Sequence, residues 1–142
     1  MEKIYKAIDI AKYVITKCTN DEEYISNLQL QKILYYIQEK FLKSYRKPLF
    51  SDEIQAWQFG PVVPSVYAIF CGYGAMTIEN EYDVKIDETI RKIIDPIIEI
   101  KRKLQPWVLV EETHRPGGAW DKIYGGGRGN REVIPKELIG RL

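Results

Sequence analysis

Residues Ser26–Tyr73 read SNLQLQKILYYIQEKFLKSYRKPLFSDEIQAWQFGPVVPSVYAIFCGY, and the fold turns on how this stretch is parsed. Ser26 is placed to cap a helix, with Gln29 three residues on to reach back to the cap's own amide. Ile25 and Leu30 flank that start as a hydrophobic staple. Leu30, Ile33, Leu34, Ile37 and Phe41 then recur at helical spacing, and Tyr36 and Leu42 widen the apolar face. So wide a face predicts a helix buried on more than one side, the central helix of the fold. Lys47-Pro48-Leu49-Phe50 ends it, because proline cannot continue a helix and biases its predecessor away from helical angles. Ile54–Phe59 alternates apolar with polar residues and stops at Gly60-Pro61. Pro64 suits the first turn of a further helix, with Val66, Ile69, Phe70 and Tyr73 as its buried face.

Outward from this core, Ile4, Ala7, Ile8, Ala11, Val14, Ile15 and Cys18 form one stripe, predicting a first helix over about 3–18 packed on the central one. Downstream, residues 75–87 lack helical periodicity. Met76–Glu79 and Tyr82–Ile86 either pair as a short hairpin around Asn80-Glu81 or lie extended. Asp87 is placed to cap a helix reaching about Leu104, with Ile90, Ile94, Ile97 and either Ile98 or Ile100 inward and a kink or break at Pro96. A short helix follows from Pro106 to about Thr113. Gly125–Arg131 reads as a mobile loop, and Val133–Ile139 as a last short helix that docks back on the body. The expected fold is mainly α: one domain over 1–142, about five or six helices around Ser26–Tyr45, with at most a small two-stranded β element.

The 142 residues suit a single core. Lys and Arg number 21 against 20 acidic residues, so bulk charge gives no argument for nucleic acid or membrane. The charge is nevertheless uneven, acidic in the middle third and basic in the last, which permits a charged docking surface. Cys18 and Cys71 both fall on apolar faces of expected helices and read as buried free thiols. The N-terminal residues carry charges throughout, unlike a signal peptide, and no apolar run approaches the roughly 18 residues of a membrane span. The expected location is the cytoplasm.

No catalytic or cofactor-binding set emerges. Zinc needs three or four Cys, His or carboxylate ligands at close spacing, and one histidine with two separated cysteines does not supply them. A Ser or Cys nucleophile would rely on His114 alone, without a recognisable motif. Gly125–Arg131 has the glycines to cradle an anion, with Arg128 and Arg131 for charge, but the phosphate-loop pattern is absent and a flexible connection is favoured. Lys101-Arg102-Lys103 and 10 tyrosines hint at nucleic acid, yet consecutive basic residues point in different directions around a helix, so nucleic acid is disfavoured. The aromatic residues are too numerous to be enclosed in so small a domain, and Tyr and Trp dominate many protein interfaces. Tyr35, Tyr36, Trp57, Phe59, Tyr67, Trp107, His114 and Trp120 are therefore the candidate partner-binding residues, with His114 read mainly as a hydrogen-bonded residue that fixes a turn.

L-x-L-Q-K-I-L-Y-Y at Leu28–Tyr36, P-L-F at Pro48–Phe50, A-W-x-x-G-P-V at Ala56–Val62 and V-Y at Val66-Tyr67 together resemble the Panacea-domain, SocA-like, phage-associated family. That family's T-H-x-E-x-P-W segment is matched here by Thr113-His114 and Trp120, with Pro116-Gly117-Gly118-Ala119 replacing the acidic residue and the proline. The resemblance implies an antitoxin that neutralises a toxin from an adjacent gene by direct protein–protein binding. It allows a variant in which the domain is an adaptor delivering the toxin to a protease. A DNA-binding regulator of its own operon and an enzyme using His114 or the glycine loop are the readings from other classes. Homo-oligomerisation is left open.

Overall fold

The computed structural model describes residues 3–142, in which six α-helices and a small sheet surround one long helix. Helix α2, Asn27–Tyr45, is the centre: it packs against α1, α3, α4, α5 and α7, and also against the sheet. Its capping box is complete. The Ser26 hydroxyl accepts from Gln29 N at 3.3 Å, and Gln29 Oε1 accepts from Ser26 N at 2.9 Å. Leu30, Ile33, Leu34 and Ile37 are fully buried, as the apolar spacing requires, and so are Gln31, Lys32 and Gln38 on the remaining faces. Helix α2 ends at Arg46, which takes a left-handed φ of 57° before Pro48.

Helix α1 covers Ala7–Asn20 rather than starting at about residue 3. Tyr5 is held extended by a parallel bridge to Phe50, with Tyr5 N donating to Leu49 O at 2.9 Å. The helix then begins where the Asp52 carboxylate accepts from Ala7 N at 2.9 Å. Ile4 is consequently exposed instead of joining the stripe. The alternating stretch after Phe50 is a β-hairpin: β1 (Gln55–Trp57) pairs antiparallel with β2 (Gly60–Val62) in the register Trp57↔Gly60. A third strand, β3 (Glu132–Val133), adds to the other side of β1, so the sheet has three strands in the order β2-β1-β3 where at most two were expected.

Helix α3 (Pro64–Phe70) buries Val66 and Phe70, whereas Ile69 is exposed. A 3-10 turn over Cys71–Tyr73 follows, which swings Cys71 to the surface; Cys18 is buried, and both thiols are free. Residues 75–87 form no hairpin. Their alternation is real, burying Ile86 and half-burying Tyr82 and Val84, but the segment lies extended across the body. Its polar partners are α1 and the start of α2: Tyr82 N donates to Thr16 Oγ1 at 2.8 Å, and Ile78 N to Ile25 O at 2.8 Å.

Helix α4, Glu88–Lys101, passes through Pro96 as one element. The carbonyl deprived of its partner belongs to Lys92, an exposed residue. Ile90, Ile94 and Ile98 face inward, Ile97 is half-buried and Ile100 exposed. The Asp87 side chain makes no capping bond; its amide instead donates to the Tyr5 hydroxyl at 3.1 Å. Helix α5 (Pro106–Thr113) is followed by α6 (Ala119–Tyr124), and Gly125–Gly127 forms a 3-10 turn. Arg131 N then reaches Ala56 O, tying the glycine-rich segment to β1. Helix α7 (Lys136–Arg141), preceded by Pro135 and burying Leu138 and Ile139, docks on α2; Val133 lies in β3 instead of in this helix. No helix of the described residues is long and apolar enough to cross a membrane.

Candidate functional site

The site grows from the way α2 supports the hairpin. Strand β2 is an edge of the sheet, and an uncovered edge leaves backbone groups unpaired. Helix α2 covers it with polar side chains: Gln31 Oε1 accepts from Val63 N at 2.9 Å, and Lys32 Nζ donates to Pro61 O at 3.0 Å. Gln31 is itself fixed, donating to Asn27 Oδ1 at 2.9 Å. A third amide, Gln38, organises the next loop, donating to Phe50 O at 2.8 Å and accepting from Leu49 N at 2.9 Å and Phe50 N at 3.3 Å.

Lys32 is 0 % exposed, and burial alone pulls its ammonium down to about 7. Gly60 is what lets it fit. Its φ is +116°, and a Cβ there would lie 2.8 Å from Lys32 Cε and 2.8 Å from Thr113 Oγ1. Next to Thr113, the His114 ring stacks on Trp120 at 3.7 Å between centroids and 4° between planes, and Trp120 stacks on Tyr124 at 4.5 Å. Trp120 Nε1 donates to Trp57 O at 2.8 Å, which joins this stack to the hairpin. His114 Nε2 is buried without a hydrogen-bond partner, so the ring is held by stacking and not by the hydrogen bond expected of it. Burial and, to a lesser degree, the Lys32 charge lower its pKa. Three separate motif segments thus meet at one place: Gln31-Lys32, Gly60-Pro61 and Thr113-His114.

Above this support the hairpin presents aromatic rings. Phe59 at its tip is 47 % exposed, Trp107 on α5 is 64 % exposed, and the two pack edge to face at 5.8 Å. Trp57 and Tyr67, both half-buried, pack edge to face at 4.9 Å, and the Arg131 guanidinium lies 4.0 Å above the Trp57 ring. Of these four aromatics, Trp57, Phe59 and Tyr67 line one cleft, and Trp107 packs on Phe59. The other four candidates lie elsewhere. Tyr35 is buried, and Trp120 and His114 sit behind the hairpin. Tyr36 is half-buried, donating to Glu112 Oε1 at 3.0 Å beneath the Lys101 ammonium, 4.1 Å from its ring centroid. Of the basic run, Lys101 pairs with Glu112 at 2.9 Å and Arg102 with Asp21 at 2.7 Å, so two of its three charges are engaged within the chain.

Sequence reasoning missed Lys32, Gln31 and Gln38 as site-building residues. The available signal was indirect: a helix buried on all sides must bury its polar residues as well, and these need backbone partners.

A mainly helical domain that fixes an edge hairpin rigidly and displays aromatic rings from it has the make-up of a binding module. The chain belongs to the family described as antitoxin SocA-like, Panacea domain, whose pattern matches residues 30–121. Antitoxin SocA of Caulobacter vibrioides (strain NA1000 / CB15N) is 32% identical over 130 residues, covering 82% of this chain and 69% of that protein. No solved structure gives a significant match. The matched span contains the hairpin, Lys32 and His114 but ends before Gly125–Arg131.

Proposed function

We propose that this chain is an antitoxin that neutralises a toxin protein, the product of an adjacent gene, by direct and non-enzymatic binding. Family membership supports the antitoxin role. The observation that carries the direct-binding reading is the aromatic face: Phe59 and Trp107 are large apolar rings left substantially in water on a rigid support. Removing such rings from water on association contributes about 25 cal/mol per Å² of apolar surface, and isolated rigid aromatics lose little side-chain entropy in doing so. The other members of the candidate set, Tyr35, Tyr36, His114 and Trp120, serve this face from behind by holding α5, α6 and the hairpin in place.

The experiment is co-expression of this chain with the product of the adjacent gene. A neighbour that arrests growth alone, is harmless beside this chain and is recovered with it at fixed stoichiometry supports the proposal, and F59A together with W107A should lose rescue while remaining folded. Rescue accompanied by disappearance of the neighbour points instead to delivery to a protease. A harmless neighbour that never copurifies removes the reading.

A further inference from the structure

A cleft of about 380 Å³ opens between α2, the hairpin and α3, beside the aromatic face. Its walls include Asn27, Lys32, Trp57, Phe59, Tyr67 and Arg131, and none of the side chains lining it is a carboxylate. Arg131 therefore stands in a concave site with no anion, with the buried Lys32 amine in its wall. A neighbouring cleft along Tyr35, Tyr36 and Glu112 differs in this respect, since its Lys43 and Lys101 are paired with Glu39 and Glu112 at 3.4 and 2.9 Å. Lys32 is fully buried and donates to Pro61 O, so it shapes the wall and leaves Arg131 as the accessible charge. Arg131 lies over the Trp57 ring and makes no ion pair among the described residues. The Asn27 and Gln31 amides of the lining are already engaged, with each other, Tyr67 O and Val63 N, so they shape the cleft without competing for a ligand.

We infer that this cleft receives an Asp or Glu side chain of the partner protein, with Arg131 as its direct counter-ion. The inference rests on the direct-binding reading above and adds the chemistry of what the partner inserts. A planar carboxylate suits the site on two counts. It supplies the missing negative charge, and it accepts the forked donors of a guanidinium.

The test uses the purified full chain and the product of the adjacent gene, with R131M, R131E and R131K in place of the wild type and folding checked by circular dichroism. Arg131 is exposed, so these variants fold. The expected result is a loss of about tenfold or more in affinity for R131M, a larger loss for R131E, and partial retention for R131K. One Asp or Glu to Lys change in the partner should restore binding to R131E. A wild-type complex that R131M and R131E leave unchanged overturns this inference and leaves direct binding standing, as does failure of every partner charge reversal to restore R131E. Absence of any wild-type complex overturns both. Recovery of nucleic acid instead of protein, lost in R131E, assigns the cleft to phosphate and overturns the carboxylate.

Discussion

Replacing Lys32 by methionine should abolish a pH dependence of stability that the wild-type chain carries. The folded amine titrates near 7 instead of its ordinary 10.5, because burial penalises the charged form. Between these values the unfolded chain binds more protons at this site than the folded chain, so stability must rise with pH. From pH 7, where the folded amine is half protonated, to pH 9, where it is neutral, the gain is about 2 kcal/mol, and below about pH 6 this contribution is flat. Methionine removes the titration and leaves Pro61 O without its donor, a cost of about 1–3 kcal/mol that does not vary with pH. The assay is urea unfolding followed by tryptophan fluorescence, for both proteins, at pH 6, 7, 8 and 9. The difference in unfolding free energy, wild type minus K32M, should climb by about 2 kcal/mol between pH 7 and 9. Other shifted groups cancel in that difference, except His114, whose pKa Lys32 helps to lower and whose effect falls below the pH 7–9 window. His114 acts below its ordinary 6.5, while Cys18 and the phenols of Tyr13, Tyr35 and Tyr36, all raised chiefly by burial, act at about pH 9 and above. Parallel curves for the two proteins would refute the reasoning, since they would mean that the amine stays charged and solvated beneath the hairpin.

Gly60→Ala should destabilise by about 2–4 kcal/mol in the same assay, because the new methyl meets Lys32 and Thr113 at a φ that only glycine tolerates well. Gln38→Leu strips three hydrogen bonds from the Leu49-Phe50 backbone and should cost about 2–4 kcal/mol, seen as a lower urea midpoint. Ser26→Ala removes the cap of α2 and should cost about 1 kcal/mol by thermal unfolding. Arg46→Gly should have the opposite sign, gaining about 0.5–1 kcal/mol, since a left-handed C-terminal residue is strained unless it is glycine.

How much of this could be read from the chain differs by the kind of interaction. Apolar periodicity and the Ser26–Gln29 cap place α2 to the residue, because both signals are local. The limits of α1 are not local: Tyr5 is extended through its pairing with Phe50, and Ala7 is capped by Asp52, 45 residues away. Residues 75–87 show why alternation is ambiguous. It reports one buried side, and an extended segment crossing helices has that as surely as a strand does. In the candidate site, aromatic residue type alone marks eight positions, of which Trp57, Phe59 and Tyr67 line one cleft and Trp107 packs on Phe59. What separates Phe59 and Trp107 from Tyr35 and Trp120 is the direction in which the hairpin and α5 turn them, and no spacing encodes that. Lys32 was hidden for a different reason. Its neighbours in sequence look like one edge of an amphipathic helix, and only the arrival of Gly60 and Pro61 from another element turns that edge into an interior.

The most direct test of the central claim, that this chain binds its toxin through the hairpin face, is amide hydrogen exchange of the full chain with and without the product of the adjacent gene. Slowed exchange at the hairpin tip around Gln58 and Phe59 and at the start of α5 around Trp107 and Val108, with the exposed side of α4 unchanged, is the predicted result. Protection confined to the exposed side of α4, or no change in exchange at saturating neighbour, would contradict it.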